Sequence, residues 1–230
     1  MTSGNLLAVC RVHELLPSSD STGVTAIDKR PVSGPVKVHG LGLSGDVQAS
    51  RKHHGGESKA VYAYSQEDAD FWAAELGLEV YPGLFGENLR ITGLPVSEAV
   101  IGERWQIGDR TILEVTCPRT PCRNFAQRMQ QPGWVKRFAA AGRVGTYLRV
   151  IRNGSISAGD PVTVIRRPDH GVTSGDVFRG LSATQARLLT EAGAHGELKL
   201  SPEIKKVLLA LEARQPLSAG LNPPKLLKMQ

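Results

Sequence analysis

The thiol of Cys122 has the residue type and setting most suited to chemistry in this sequence. It follows the segment Pro-Arg-Thr-Pro at 118–121, whose two prolines stiffen the approach, and it opens a predicted helix. A helix N-terminus and the flanking cations Arg119 and Arg123 favour the thiolate form of a cysteine. A thiolate of this kind suits ligation of a soft, redox-active metal. A surface or core cysteine without a role is the alternative interpretation.

The other two cysteines are predicted to be buried, inert thiols. Alternation along its predicted strand places Cys117 on the more apolar face, and Cys10 also lies in an apolar predicted strand. Three cysteines are too few, and odd in number, for a disulfide framework. A zinc site shared by Cys117 and Cys122 would need two more ligands. The adjacent histidines at 53–54 are a poor clamp, because neighbouring side chains in an extended chain point apart.

A glycine pair within residues 53–59 (HHGGESK) is a second candidate site. Gly55 and Gly56 allow the backbone to approach a ligand closely, and amides in such a turn can bind phosphate oxygens. Lys59 and one of the histidines would add charge and hydrogen-bond donors. An ordinary Gly-Gly turn with solvated neighbours explains the same residues.

Two further groups of polar residues flank predicted strands. Glu87 and Asn88 precede the apolar strand that starts at Leu89, where they could bind the hydrogen-bonding edge of a heterocycle such as a pterin. Tyr147 and Arg149 share one face of another strand, and an arginine on a barrel face usually has an anionic partner. An exposed turn and a structural salt bridge are the respective alternatives.

Short strands separated by glycine turns must position these side chains in the first two-thirds of the chain. So many short strands at this spacing predict a mainly β fold, a barrel or a sandwich. The predicted strands are 6–15, 36–39, 59–64, 88–91, 104–107, 111–117, 145–152 and 162–166.

A few helices interrupt the strands, and a small helical appendage follows them. Helices are predicted at 66–76, capped by Ser65 and stopped by Gly77, and at 122–129 and 133–141. Three more are predicted at 173–179, 183–192 and 202–214, with Ser182 and Ser201 as caps. We therefore expect a β-barrel domain at 1–167, a three-helix domain at 168–214 and a flexible tail at 215–230.

Composition narrows the class of protein. The net charge of +6 is modest and spread along the chain, which favours a solvated basic surface over binding of a nucleic-acid polymer. No apolar run approaches the roughly 20 residues of a membrane span. The N-terminus lacks a basic region followed by a long apolar core. We expect a cytoplasmic protein without a membrane partner.

Taken together and in this order, the motifs resemble the MOSC family, named for the C-terminal domain of molybdenum cofactor sulfurases. The resemblance is greatest to its YiiM-like branch, in which a short three-helix domain often follows the barrel, and it spans roughly residues 6–167. The strings that carry it are GDVQA (45–49), HGG (54–56), KAVYAY (59–64), PGLFGENL (82–89), PRTPC (118–122) and GTYLRV (145–150).

The resemblance implies a MOSC-type β-barrel that binds a molybdenum–molybdopterin cofactor, with a cysteine as the protein ligand to molybdenum. That ligand maps onto Cys122. The cofactor-binding residues that it implies are His54, Gly55, Gly56, Lys59, Glu87, Asn88 and Arg149. The residues near Cys122 and on the Arg149 strand face add Arg119, Arg123 and Tyr147 to the predicted set. Two positions depart from the branch: Ser50 replaces the usual Asp, and Thr146 replaces the usual Trp. Both departures bear on substrate preference.

The implied activity is reduction of N-hydroxylated substrates, of the hydroxylaminopurine or amidoxime type, at the molybdenum centre. The three separated cysteines cannot hold an iron–sulfur cluster, so the electrons would come from a separate reductase. A non-catalytic carrier of the cofactor or of sulfur would use the same thiol, and a plain interaction domain would not need it.

Overall fold

Strands dominate the computed structural model, which describes residues 2–19, 21–49 and 55–213. They are β1 (Ser3–Pro17), β2 (Val24–Pro31), β3 (Val36–His39), β4 (Gly42–Leu43), β5 (Val61–Ser65), β6 (Leu89–Thr92), β7 (Arg104–Ile107), β8 (Thr111–Pro118), β9 (Thr146–Arg152), β10 (Gly154–Ile156) and β11 (Pro161–Arg166). Seven of those described strands close into a barrel in the order β1-β11-β7-β8-β9-β5-β6, and β6 pairs back to β1. The mainly β fold is therefore confirmed as a barrel.

Only part of this strand set was predictable from the sequence. The predictions at 36–39 and 104–107 have the observed bounds. β2, which extends the sheet beyond the ring by pairing with β1, was not predicted. Its sequence VTAIDKRP carries three consecutive charged residues and a proline, which hide the strand pattern. β4 and β10, which pair with β3 in a small separate sheet, are too short to predict.

Helices lie against the barrel and begin at the expected caps. They are α1 (Gln66–Leu76), α2 (Arg123–Met129), α3 (Trp134–Ala141), α4 (Ser174–Arg179), α5 (Ala183–Ala194) and α6 (Pro202–Glu212). Ser65, Ser182 and Ser201 each accept a hydrogen bond from a backbone N–H of the first turn, as predicted. The structure places Cys122 and Gly133 at the N-caps of α2 and α3, one residue before each helix begins. None of the helices in the described ranges is long and apolar enough to cross a membrane.

Two apolar clusters hold these elements together. One fills the barrel and continues into the C-terminal helices, where Val177, Leu189 and Ile204 belong to it. The other is aromatic and packs α1, α2 and α3 on the outside of the barrel. Its rings, including Phe85, Phe125 and Trp134, meet mostly edge to face. The C-terminal helices therefore share a core with the barrel, while the domain boundary at 167 stays a prediction and the expected tail lies outside the described residues.

A buried ion pair fixes the loop that leads into β6. The Glu87 carboxylate accepts hydrogen bonds from the backbone N–H groups of Gly83 (2.8 Å) and Phe85 (3.1 Å). It also pairs with the guanidinium of Arg90, and both side chains are fully buried. Gly83 has φ +93°, and a Cβ there would lie 2.4 Å from the Lys29 carbonyl oxygen. The loop is thus pressed against β2.

Glu87→Gln should lower the free energy of unfolding by about 3–5 kcal/mol, because it leaves the Arg90 charge buried without its counter-ion. Chemical denaturation monitored by circular dichroism measures the loss. Glu191→Gln is the matched control, because Glu191 forms an exposed pair with Arg187 on α5. That change should cost less than about 1 kcal/mol. Equal losses in the two variants would contradict the structural role of Glu87.

Candidate functional site

An open cavity of ≈ 710 Å³ lies where β2, the 46–49 segment and the start of α2 meet the barrel wall. Five of the predicted site residues line it: Lys59, Asn88, Arg119, Cys122 and Tyr147. They come from four separate stretches of sequence, which the barrel brings together. The cavity is therefore the candidate cofactor site.

Arg119 places a positive charge in the cavity wall. Its side chain is buried, with 6% of its surface exposed, and its guanidinium lies over the ring of Phe125 at 4.0 Å and that of Tyr62 at 5.2 Å. Within the described residues it forms no ion pair, and its Nη1 atom is buried without a hydrogen-bond partner. Burial by itself lowers the pKa of Arg119, but the net shift is upward because nearby tyrosine hydroxyls, the Cys122 sulfur and a carboxylate favour the cation. The wall thus presents a buried cation without a bonded counter-ion.

Cys122 reaches the same cavity from the N-cap of α2. Its backbone is extended, its side chain is partly exposed, and its sulfur makes no capping hydrogen bond. One side of the residue packs against the aromatic cluster, and the cavity lies on another. Arg123, the second predicted cation, is exposed and does not line the cavity. The charge beside the sulfur therefore comes from Arg119 and not from both arginines.

Tyr147 and Lys59 form the edge of the cavity nearest the C-terminal helices. Burial raises the pKa of Tyr147 to about 12, against the opposing effect of the Arg119 cation, so the hydroxyl is protonated at neutral pH. Lys59 Nζ lies 5.8 Å from the centre of the Tyr147 ring. The same Nζ is 2.7 Å from an oxygen of Glu203 on α6. A C-terminal helix thereby contacts a residue that lines the cavity.

A polar network holds Asn88 in place. Its amide nitrogen donates to Asp46 at 2.7 Å, and its amide oxygen accepts from the Tyr62 backbone N–H at 3.1 Å. Asp46 is also paired with Lys29 of β2 and accepts the Val12 N–H at 2.8 Å. Lys29, Asp46 and Tyr62 line the cavity but were missed as site residues. Asp46 belongs to the GDVQA motif (45–49), which could have pointed to it. Lys29 lies in β2, the strand that was not predicted from the sequence.

Several predicted residues have other positions or partners. Arg149 is buried in an ion pair with Glu114 (3.0 Å) and donates to the Lys199 carbonyl oxygen. It therefore forms a structural salt bridge and does not line the cavity. Glu87 faces the loop described above, because its oxygens are used by backbone amides and Arg90.

The glycine pair is only partly described. The Gly56 N–H donates to the Gln48 side chain at 2.9 Å, so this amide already has a protein partner. Neither Gly55 nor Gly56 lines the cavity. His54 and Ser50 lie outside the described residues. Thr146 is buried, with its hydroxyl 3.2 Å from the Cys117 carbonyl oxygen, so it does not reach the cavity either.

The remaining two thiols are buried, as predicted. Cys10 and Cys117 have no exposed surface, and burial raises the pKa of each to about 12. In the part of the chain that the structure describes, no three side chains of His, Cys, Asp or Glu are grouped to hold a metal ion. Of these residue types, Cys122 and Asp46 line the cavity, and the Asp46 carboxylate is already paired with Lys29.

Comparison with known proteins defines the class. The MOSC domain model matches residues 50–163. An uncharacterized protein of Bacillus subtilis, YflK, is 32% identical over 149 residues, which are 65% of this chain and 67% of that one. YiiM of Escherichia coli is 34% identical over 147 residues, 62% of this chain and 65% of its own length. The chain belongs to the MOSC family, whose domains are generally associated with binding of the molybdenum cofactor.

Two further relatives extend the comparison. A protein of Gibberella moniliformis named Reductase is 37% identical over 147 residues, 63% of this chain, but the match spans only 26% of that longer protein. The crystal structure of YiiM from Geobacillus stearothermophilus superposes with a TM-score of 0.70 at 24% identity and covers 90% of this chain and 98% of that one. This similarity to a solved structure confirms the fold.

The donor set fits a phosphate-bearing, metal-carrying cofactor. The orphaned Nη1 of Arg119 is a buried donor that an anion would satisfy, and burial without such a partner is costly. The Cys122 sulfur lines the same cavity and is of the type that binds soft metals. One ligand that carries both a negative charge and a metal would satisfy both groups.

Native protein at pH 8 should react with 5,5′-dithiobis(2-nitrobenzoate) at Cys122 alone. A thiol with a pKa of about 12 is ionised in only about one molecule in 10⁴ at this pH, so Cys10 and Cys117 should stay unmodified. The release of nitrothiobenzoate counts the reactive thiols, and unfolded protein should give all three. Cys122→Ser should give none in the native state. Rapid modification of a second thiol in folded wild-type protein would show that the assigned burial is wrong.

Proposed function

We propose that this protein binds a molybdenum–molybdopterin cofactor through Cys122 and reduces N-hydroxylated substrates, with electrons supplied by a separate reductase. The observation that carries the proposal is that a partly exposed sulfur lines the same cavity as Arg119, a buried cation whose Nη1 atom has no hydrogen-bond partner among the described residues. Membership of the MOSC family supports the cofactor. The name of the fungal relative supports reductive chemistry, although the chain spans only about a quarter of that protein.

The roles of the cavity residues follow from their contacts. Cys122 would supply the sulfur ligand to the metal. Arg119 would donate to an anionic group of the cofactor, and its stacking on Phe125 keeps the guanidinium from reorienting. Asn88 and Asp46 are tied to each other and to the backbone, and the Asn88 amide nitrogen also donates to the Cys10 carbonyl oxygen, so the two side chains hold this wall of the cavity rigid.

When bound, the cofactor supplies two-electron redox chemistry at molybdenum. The overall reaction breaks the N–O bond of a substrate R–NH–OH, consumes two electrons and two protons, and releases R–NH₂ and water. Tyr147 stays protonated at neutral pH, since its pKa is raised to about 12, and its Oη can donate a hydrogen bond to the substrate hydroxyl. Arg119, beside it, stabilises the negative charge that develops on oxygen.

A cofactor carrier is the second candidate function. The observation that favours it is the openness of the site: Cys122 is partly exposed, and the cavity is reached from solvent. A carrier would hold the cofactor with the same sulfur and release it to a client enzyme without turnover of its own.

Protein purified from cells that make the molybdenum cofactor should contain stoichiometric molybdenum by mass spectrometry and should reduce 6-hydroxylaminopurine to adenine with a chemical reductant. Cys122→Ser should lose the metal and reduce the rate by about 100-fold or more, because the ligand sulfur is gone. Cys10→Ala is the matched control: it removes a buried thiol that does not line the cavity and should retain both metal and turnover.

The outcomes separate the two functions. Stoichiometric molybdenum without turnover of any N-hydroxylated compound would favour the carrier. Full metal content in Cys122→Ser would remove the proposed ligand and with it the proposed site.

A further inference from the structure

A second cavity, of ≈ 1280 Å³, lies between the barrel and the C-terminal helices. We call it the interdomain groove and define it by its lining residues on both sides. The barrel contributes the end of β8, including Pro118, and the helices contribute Phe178 of α4 together with Glu203 and Val207 of α6. None of these residues belongs to the candidate cofactor cavity.

The interdomain groove adjoins the cofactor cavity. Lys59 and Tyr147 line both, and they are the only residues shared between the two lining sets in the described chain. The two spaces therefore have part of one wall in common, formed by the Tyr147 ring and the Lys59 side chain.

The walls of the interdomain groove suit a flat, uncharged molecule. The rings of Tyr147 and Phe178 offer faces or edges for stacking, and Val177 and Val207 add aliphatic surface. This composition differs from that of the cofactor cavity, where a buried cation lacks a bonded counter-ion.

Three charged residues line the interdomain groove, two of them paired with each other. Lys59 is paired with Glu203 at 2.7 Å, and Lys206 adds one exposed cation that a ring nitrogen or carbonyl oxygen could accept from. Burial raises the pKa of Glu203, but hydrogen bonds, above all from Lys59, make the net shift downward, so the carboxylate is ionised at neutral pH and keeps its pair with Lys59.

We propose that the interdomain groove binds the ring system of the substrate, a neutral planar heteroaromatic base, and leaves its N-hydroxylated group directed past Tyr147 toward Cys122. The reactive half of this assignment rests on the proposed function, whereas binding of the ring requires only the groove. The C-terminal helices then determine substrate choice, because Phe178, Glu203 and Val207 all belong to them.

The test uses the full, cofactor-free chain and adenine, which has the ring system but no N-hydroxyl group. Calorimetric titration should show binding to wild-type protein. Val207→Trp should weaken it by about tenfold or more, since an indole placed in the groove occupies the space of the base, and tenfold corresponds to about 1.4 kcal/mol. Leu209→Trp is the matched control on the same helix: Leu209 is 65% exposed and does not line the groove. Its affinity should stay within about twofold of wild type.

Two more variants make the result decisive. Phe178→Ala removes one ring and should weaken adenine binding. Because this change adds no bulk, a weaker affinity cannot be due to an indole that distorts the fold. Cys122→Ser should bind adenine as wild type does, because the ring site does not include the sulfur. Adenine binding with this variant pattern supports the interdomain groove even if no molybdenum-dependent turnover is found. Undetectable binding to wild type at millimolar adenine, or equal affinity in Val207→Trp and wild type, overturns it.

Discussion

The guanidinium of Arg119 lies over the ring of Phe125, inside the wall of a cavity, with one nitrogen that no described group accepts from. Burying such a charge is expensive, and contact with aromatic rings offsets only part of the cost. The fold nevertheless holds it there: β8 ends beside it, and α2 brings both Phe125 and Cys122 against it. An anionic ligand that accepts a hydrogen bond from this nitrogen would explain why the fold keeps a buried cation without a bonded counter-ion.

The barrel and the C-terminal helices contribute different chemistry to neighbouring spaces. Barrel strands and α2 supply the sulfur, the cation and the fixed amide of Asn88, which suit a cofactor. The helices supply both apolar and charged residues to the interdomain groove, and the Lys59–Glu203 pair connects the helices to the barrel. Because both regions share one apolar cluster, their relative position is set by core packing as well as by this single ion pair.

Most helices were predictable from the sequence, and so were the exact bounds of β3 and β7. Helix caps and the alternation of a strand both depend on residues that are neighbours in the sequence. The strand that carries Lys29 escaped prediction because it pairs at the barrel edge and is rich in charge. The position of Arg149 outside the cavity was not predictable, because its partner is distant in sequence. Arg149 pairs with Glu114, and only the pairing of β8 with β9 places these residues opposite each other. Arg119 and Cys122 were predictable because they lie three residues apart beside two stiffening prolines.

The response of cofactor-free protein to a simple anion tests the role of Arg119 most directly. Pyrophosphate should raise the thermal midpoint of wild-type unfolding, because a ligand that binds only the folded state stabilises it. Arg119→Met keeps an unbranched side chain over Phe125 but removes the charge, and its midpoint should not respond to pyrophosphate. We expect a rise in wild type that is absent in Arg119→Met. An equal rise in both proteins would show that Arg119 does not bind the anion.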